Sequence, residues 1–202
     1  MKTIRIIGIV GSPRLKKNTD TLVQLALAGC KSEGAAVDTI YLNKLEIKPC
    51  QVHKVQDGKG CVIRDGMDAV YKEFEASDGL VLGTPVYYNS VSSQMKLMVD
   101  RSYCLAKVVP LGPGKRQYMT TVGKRKKGIV ISVGGSGTNP DCVLPIFDIW
   151  SNEVNLDIID TLCVSEGQLG MPPMQSEKIL KAAFQQGRNL ARQLIDNIQR
   201  LK

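Results

Sequence analysis

The fold is decided by the stretch IRIIGIVGSPRLKKNTD, which runs from Ile4 to Asp20. Its first part, Ile4 to Val10, is apolar and rich in β-branched residues, a pattern typical of a buried strand. A small polar loop follows at Gly11, and helical spacing of apolar residues begins at Leu22. The N–H groups at a helix start lack partners and lie at the positive end of the helix dipole. A strand, a loop and a helix in this order therefore favour anion binding.

Four side chains in or beside this loop strengthen the anion hypothesis. Ser12, Asn18 and Thr19 supply hydroxyl and amide donors, and Arg14 supplies a positive charge. The same residues also fit an ordinary βα turn with Asn18 as the helix N-cap, since asparagine is a common capping residue. The stretch alone leaves both interpretations open.

The rest of the chain continues the alternation of strands and helices. The apolar segments that read as strands are Ile4–Val10, Val37–Leu42, Asp78–Pro85, Gly128–Val133 and Val154–Val164. Five such strands separated by helices predict a doubly wound α/β domain with a parallel sheet. Since no linker or internal repeat is present, residues 1–202 are predicted to form a single domain, with irregular insertions near 43–65 and 104–127.

Three polar loops follow strands of this sheet: Gly11–Asn18, Thr84–Ser90 and Gly134–Thr138. The ligand of a doubly wound sheet binds beyond the carboxyl ends of its strands, at the topological switch point. Three loops of small and hydrogen-bonding residues at equivalent positions therefore predict a ligand site at that edge.

Composition and charge disfavour several classes of protein. The formal net charge is +8, but the basic residues are spread along the chain and aromatic residues make up only 5%. We therefore expect an anionic small molecule rather than nucleic acid as the partner. No apolar run is long enough to cross a bilayer and no leader pattern opens the chain, so we expect a cytoplasmic protein without membrane contact.

The three loops together resemble one known family. The first is neither a nucleoside triphosphatase phosphate loop nor a G-x-G-x-x-G dinucleotide turn. GSPR with NTD, then GTPVYYNSVSSQMKLMVDR, then a VGG turn, are similar to the flavodoxin-like NADPH-dependent FMN reductase family, in its iron–sulfur flavoprotein branch. The resemblance covers about the first 140 residues. It implies a five-stranded parallel sheet of order 2-1-3-4-5 with helices on both faces, and one FMN per chain.

The resemblance also implies which residues hold the flavin. The phosphate would be held by Ser12, Arg14, Asn18 and Thr19. The isoalloxazine ring would lie against Pro85, Val86, Tyr87, Tyr88, Asn89 and Ser90. Its other side would be lined by Gly134, Gly135 and Ser136. For Tyr87 or Tyr88 taken singly, a place in the core or at an interface is the commoner role, and their position at the ligand edge favours the flavin.

The family's chemistry implies an FMN-dependent oxidoreductase with NAD(P)H as co-substrate. Electrons would pass on to a flavin, a quinone or a similar small-molecule acceptor, or to a redox protein. No catalytic side chain is predicted, and family members imply a homodimer or homotetramer. Two alternatives stay open: an electron carrier or redox sensor without productive NAD(P)H turnover, and a homologue whose FMN site is vestigial.

The cysteine motif departs from that of iron–sulfur flavoproteins. Cys50 matches the first cysteine of their motif, but His53 and Gln56 stand where the second and third are expected, and Cys61 is the candidate fourth. Since such a cluster takes cysteine thiolates at nearly every iron, we expect no iron–sulfur cluster. Zinc held by Cys50, His53, Cys61 and Asp57 is a weaker alternative to an exposed remnant of the motif.

Two charged segments call for interpretation. Lys124–Lys127 fits either a solvated loop before the fourth strand or a contact for the extra phosphate of NADPH or for an acidic protein. Asp100 and Arg101, at the end of the third helix, are expected to form structural salt bridges or an oligomer contact rather than a catalytic pair.

Overall fold

The computed structural model describes residues 3–52 and 60–200, with side chains through residue 197. The helices and strands run in the order β1 (Arg5–Val10), α1 (Asn18–Ser32), β2 (Ala36–Tyr41), α2 (Met67–Ala76), β3 (Gly79–Tyr87), β4 (Ser90–Val91), α3 (Ser93–Arg101), β5 (Ala106–Gly112), β6 (Lys115–Thr120), β7 (Lys126–Gly134), α4 (Leu144–Glu153), β8 (Leu156–Ser165), α5 (Glu166–Leu169) and α6 (Glu177–Arg200). Short 3-10 turns lie at Leu42–Lys44, Ser102–Leu105, Pro140–Val143 and Pro173–Gln175.

The central sheet has the strand order β2-β1-β3-β7-β8, and these five strands are parallel. β7 and β8 are its fourth and fifth parallel strands, so the predicted flavodoxin-like order 2-1-3-4-5 is confirmed. β4 adds a short antiparallel pairing to the end of β3. The chain moves to one side of β1 for β2 and to the other side for β3. The topological switch point therefore lies between the carboxyl ends of β1 and β3.

Alternation along β1 shows how the sheet is buried on both faces. Ile6 and Val10 face the layer formed by α1 and α6, whereas Ile7 and Ile9 face the layer formed by α2, α3 and α4. Because side chains of a strand point alternately to opposite faces, a strand buried on both faces reads as a continuous apolar run. The unbroken run at the start of the sequence is explained by this arrangement.

α1 and α6 approach each other closely through two glycines. A Cβ at Gly187 would lie 1.8 Å from the carbonyl oxygen of Ala26, and one at Gly29 would lie 2.0 Å from that of Phe184. Only residues without a side chain permit this contact between the helix backbones. The last helix is thereby fixed against the first on one face of the sheet.

The predicted irregular insertion near 104–127 is wrong for most of its length. β5 and β6 form an antiparallel hairpin with Val108 opposite Tyr118 and a register shift between Pro110 and Gly112. The strands are largely exposed, so they lack the alternation of a half-buried strand, and Pro110 interrupts the pattern. In the other insertion, residues 53–59 lie outside the described residues. Its described parts, 43–52 and 60–65, contain no strand and no helix beyond the 3-10 turn.

The basic run before the fourth parallel strand belongs to the opposite edge of the sheet. β7 begins at Lys126, whose exposed fraction is 1%, so the interpretation of the whole run as a solvated loop is wrong. Lys124 pairs with Asp78, and Arg125 pairs with Asp157 at 2.6 Å. The remaining part of β7, Gly128 to Gly134, spans roughly 23 Å and separates this run from the loop after β7. This position, at the opposite ends of the strands from the three polar loops, disfavours its assignment to the phosphate of NADPH.

The charged residues at the end of α3 form structural ion pairs, as predicted. Arg101 Nη1 lies 2.5 Å from Asp65 Oδ2, and both side chains are buried. Lys96 Nζ lies 2.6 Å from Asp100 Oδ1 on the helix surface. In the part of the chain that the structure describes, no helix is long and apolar enough to cross a membrane.

Candidate flavin site

The first loop ends in a helix start that has no side-chain cap. Lys17 occupies the N-cap position with φ −110° and ψ −178°, and no side chain bonds to the helix start there. Asn18 is the first helical residue, so its interpretation as the N-cap is wrong. The first backbone hydrogen bond of the helix runs from Thr21 N to Lys17 O at 2.9 Å. The backbone N–H groups of the residues just before Thr21 therefore have no partner within the helix. These N–H groups suit a phosphate.

Asp20 holds the loop in place, a role that the sequence did not reveal. The N–H of Lys16 donates to Asp20 Oδ2 at 2.6 Å, and the exposed fraction of Asp20 is 3%. Lys16 has φ +55°, a left-handed conformation that costs energy in a residue with a Cβ. The buried carboxylate therefore stabilises a strained turn directly before the uncapped helix.

The four predicted phosphate residues have different surroundings. Ser12 and Thr19 are each 3% exposed, and Ser12 Oγ accepts from Arg14 N at 3.2 Å. The amide of Asn18 bonds elsewhere: Nδ2 donates to Glu166 Oε1 at 3.1 Å and Oδ1 accepts from the N–H of Met174 at 3.2 Å. The side chain of Asn18 thus links the first loop to the segment after β8, and its own N–H lies at the helix start.

The second loop is a tight turn that displays two tyrosines. Tyr88 and Asn89 have φ of +49° and +54°, and Tyr87 pairs with Ser90, which defines a two-residue turn of the I′ type. Tyr88 is fully exposed and Tyr87 is 39% exposed, so neither is a core residue. Left-handed backbone at a tyrosine is strained, and such strain is concentrated at functional sites.

Ser92, which follows the turn, connects the second loop to the first. Its hydroxyl donates to the carbonyl oxygen of Gly11 at 2.6 Å and accepts from the N–H of Met95 at 3.2 Å. Its own N–H donates to Thr84 Oγ1 at 3.0 Å. The N–H of Gly11 in turn donates to the carbonyl oxygen of Gly83 at 2.8 Å. The sequence SVSSQ marks a helix start, but nothing in it shows this contact between loops.

The third loop leaves open space beside the other two. A Cβ at Gly134 would lie 2.0 Å from Thr138 Oγ1, so the loop closes tightly on itself there. A Cβ at Gly135 would meet no atom within 4 Å. Ser136 lies beside Gly167, which connects this loop to the segment that bonds Asn18. β1, β3 and β7 are neighbours in the sheet, so the three loops meet at one edge.

The donor set at this edge fits FMN. Uncapped N–H groups and Arg14 suit a phosphate, and an exposed turn with two tyrosines suits a flat ring. Among residues 3–52 and 60–200, no group of three or more His, Cys, Asp or Glu side chains is arranged to hold a metal ion.

The sheet order and the crevice between its loops define a flavodoxin-like α/β protein. Residues 4–143 match the model of the family described as NADPH-dependent FMN reductase, and the chain belongs to that family. The resemblance inferred from the three loop motifs is thereby confirmed.

Individual relatives agree with this assignment. An iron–sulfur flavoprotein of Methanosarcina thermophila is 34% identical over 134 residues, covering 66% of this chain and 64% of that protein. One from Methanocaldococcus jannaschii is 41% identical over 101 residues, covering 49% and 52%. The chain thus spans less than two thirds of the length of both relatives. The solved structure of a flavone reductase aligns with a TM-score of 0.71 at 21% identity, covering 96% of this chain and 64% of that one.

Proposed function

We propose that this chain is an NAD(P)H-dependent FMN oxidoreductase that passes electrons to a flavin, a quinone or a similar small acceptor. The observation that carries the proposal is the uncapped start of α1 beside the exposed tyrosine turn, at the switch point of the sheet. Membership of the NADPH-dependent FMN reductase family supports it. Bound FMN supplies the chemistry by accepting a hydride and releasing electrons to an acceptor.

The protein's task is to bind and orient the flavin. The N–H groups at the start of α1, with Ser12, Thr19 and Arg14, would hold the phosphate. The turn from Pro85 to Ser90 would support the ring, and Gly134, Gly135 and Ser136 would line its other side. Asn18 would contribute its backbone N–H, while its side chain keeps Glu166 and Met174 in position.

α3 adds an electrostatic contribution at the ring end of the site. The helix begins at Ser93, directly after the tyrosine turn, so its positive dipole end lies at the same edge of the sheet. N–H groups of the turn and of this helix start would stabilise negative charge that develops on a reduced ring. No side chain is assigned as acid or base.

We further propose that no iron–sulfur cluster is bound, although the relatives above are named for one. Cys50 and Cys61 are described, whereas His53, Gln56 and Asp57 lie outside the described residues. The Nη2 group of Arg101 donates to the sulfur of Cys61 at 3.5 Å. Two motif cysteines are too few for a cubane cluster.

Anaerobic titration with NADPH and with NADH tests the function. The purified chain is loaded with FMN, and the visible flavin absorption band is followed as each nicotinamide is added. Rapid loss of the band with either nicotinamide supports a reductase. A band that persists with both, but disappears with dithionite, indicates an electron carrier and overturns the proposal. Failure to bind FMN indicates a vestigial site.

Metal analysis of the same sample tests the cluster prediction. We expect a spectrum with flavin bands only and no stoichiometric iron, sulfide or zinc. A broad iron–sulfur shoulder with stoichiometric iron and sulfide would contradict it. Oligomeric state is measured by light scattering, and we expect a homodimer or homotetramer, as the family resemblance implies.

A further inference from the structure

Three cysteines surround one small cavity at the end of α3 that is remote from the flavin loops. Cys50, Cys61 and Cys104 line it together with Arg101, and its volume is about 20 Å³, enough for one water-sized molecule. α3 has nine residues, so roughly 13 Å of helix separates Arg101 from the tyrosine turn. The cavity is therefore separate from the proposed flavin site.

Arg101 contacts two of these thiols. Its Nη2 group donates to Cys61 Sγ at 3.5 Å, and the thiol of Cys104 donates to its carbonyl oxygen at 3.4 Å. Asp65 fixes the guanidinium through bonds at 2.5 and 3.2 Å. The Arg101 Nε–H has no acceptor within the described residues, so this buried cation keeps a donor unused.

The two thiols differ in ways that suit a reacting pair. Cys61 is half-exposed and lies beside a cation, the setting in which cysteines react. Cys104 is buried, and burial raises the pKa of its thiol, so it keeps its proton. Cys61 and Cys104 line the same small cavity, and residues 60–66 belong to no helix or strand, so a bond between the two sulfurs would not have to break a helix or sheet around Cys61.

We propose that Cys61 and Cys104 form a peroxide-reactive dithiol, with Cys61 attacking and Cys104 resolving. The sulfur of Cys61 attacks the terminal oxygen of a hydroperoxide, the O–O bond breaks, and Cys61 becomes a sulfenic acid. The other oxygen takes up the Cys61 thiol proton and departs as an alcohol, or as water from hydrogen peroxide. The sulfur of Cys104 then attacks the Cys61 sulfur, the S–O bond breaks, and water carries away the Cys104 proton. The hydroperoxide gains the two electrons that the thiols lose.

This site acts independently of the flavin, so its test separates the two proposals. The chain is loaded with oxidised FMN, its thiols are reduced, and it is treated with equimolar hydrogen peroxide. Free thiols are then alkylated and peptides are analysed by mass spectrometry. We expect a linked peptide that joins Cys61 to Cys104, two hydrogens lighter than its reduced parts and cleaved by a thiol reductant. Flavin occupancy, read from the absorption band, is expected to stay unchanged.

Variants assign the roles of the two thiols. In Cys104→Ser, Cys61 is expected to stop at the sulfenic acid and to form an adduct with dimedone, whereas in Cys61→Ser neither product forms. Cys163→Ser is the matched control and is expected to form the link as the parent does, because Cys163 lies in β8 and does not line this cavity. A link from Cys61 to Cys50, or no link with Cys61 still reduced, would overturn the proposal.

Discussion

Ser92 Oγ donates a hydrogen bond of 2.6 Å to the carbonyl oxygen of Gly11. This bond joins the start of α3 to the loop after β1, across 81 residues of sequence. The tyrosine turn and the anion loop are therefore parts of one framework rather than two independent loops. Because Ser92 is fully buried, no solvent can replace the bond if the hydroxyl is removed.

Replacement of Ser92 by alanine is expected to weaken both the fold and the flavin site. It removes the cap of α3 and leaves the Gly11 carbonyl without its partner, which costs about 2–3 kcal/mol of unfolding free energy. We expect the dissociation constant for FMN to rise roughly tenfold, or about 1.4 kcal/mol. Urea unfolding and flavin fluorescence measure the two effects. Ser93→Ala, at an exposed neighbour, should change neither.

A negative charge in the anion loop should expel FMN. Ser12→Asp and Thr19→Asp each place a carboxylate next to the proposed phosphate position, where repulsion and competition for the N–H groups act together. We expect FMN affinity to fall by about 100-fold or more, equivalent to ~2.7 kcal/mol. Equilibrium dialysis measures the affinity, and circular dichroism checks that the fold persists.

Thr21→Asp is the control for these two variants. It adds the same charge one turn into α1, at a half-exposed position beyond the uncapped N–H groups. Full flavin occupancy in both Ser12→Asp and Thr19→Asp would show that the phosphate lies elsewhere.

The central strands β1, β3 and β7 could be predicted from sequence because they are largely buried on both faces. The strand order 2-1-3-4-5 came from the family resemblance. Ile4 to Val10 reads as one apolar run because of the burial of β1, and its polar end marks the ligand edge. The hairpin of β5 and β6 could not be predicted in the same way, because its largely exposed strands carry no alternation. Lys126 was misinterpreted because a run of charges gives no sign that one member lies inside the sheet.

The loops of the candidate flavin site could be predicted from sequence, but the residues that hold these loops in place could not. Residues that would touch the flavin follow the strand ends, so position along the chain reveals them. Ser92 and Asp20 act through bonds to the backbone of other residues, and those partners are known only from the folded structure. Asn18 has the residue type of a cap, yet Lys17 occupies the N-cap position. The side chain of Asn18 instead bonds to Glu166, in the segment after β8.

Asp20 should control flavin affinity through the Lys16 turn. Asp20→Ala removes the acceptor that stabilises φ +55° at Lys16, so we expect a loss of about 1–3 kcal/mol in unfolding free energy and a weaker FMN complex. Asp20→Asn keeps an oxygen acceptor and should retain most of both. Fluorescence titration with FMN compares the variants. Equal effects of alanine and asparagine would contradict the role of the side-chain oxygen of residue 20 as the acceptor for the Lys16 N–H.

Buried Lys126 should make stability depend on pH in the alkaline range. Burial and the nearby Lys124 lower the pKa of Lys126 to about 8, whereas an unfolded lysine titrates near 10.4. Between about pH 8 and 10 the unfolded chain thus holds a proton that the folded chain has released, so this group makes the unfolding free energy rise with pH. Lys126→Met should remove that rise and add on the order of 1–3 kcal/mol to the unfolding free energy at pH 7.

Urea unfolding at a series of pH values measures the difference between the parent and the variant. Lys127→Met is the control, because the half-exposed amine of Lys127 bonds to Gln193. Parallel curves for the parent and Lys126→Met would contradict a charge buried at the start of β7.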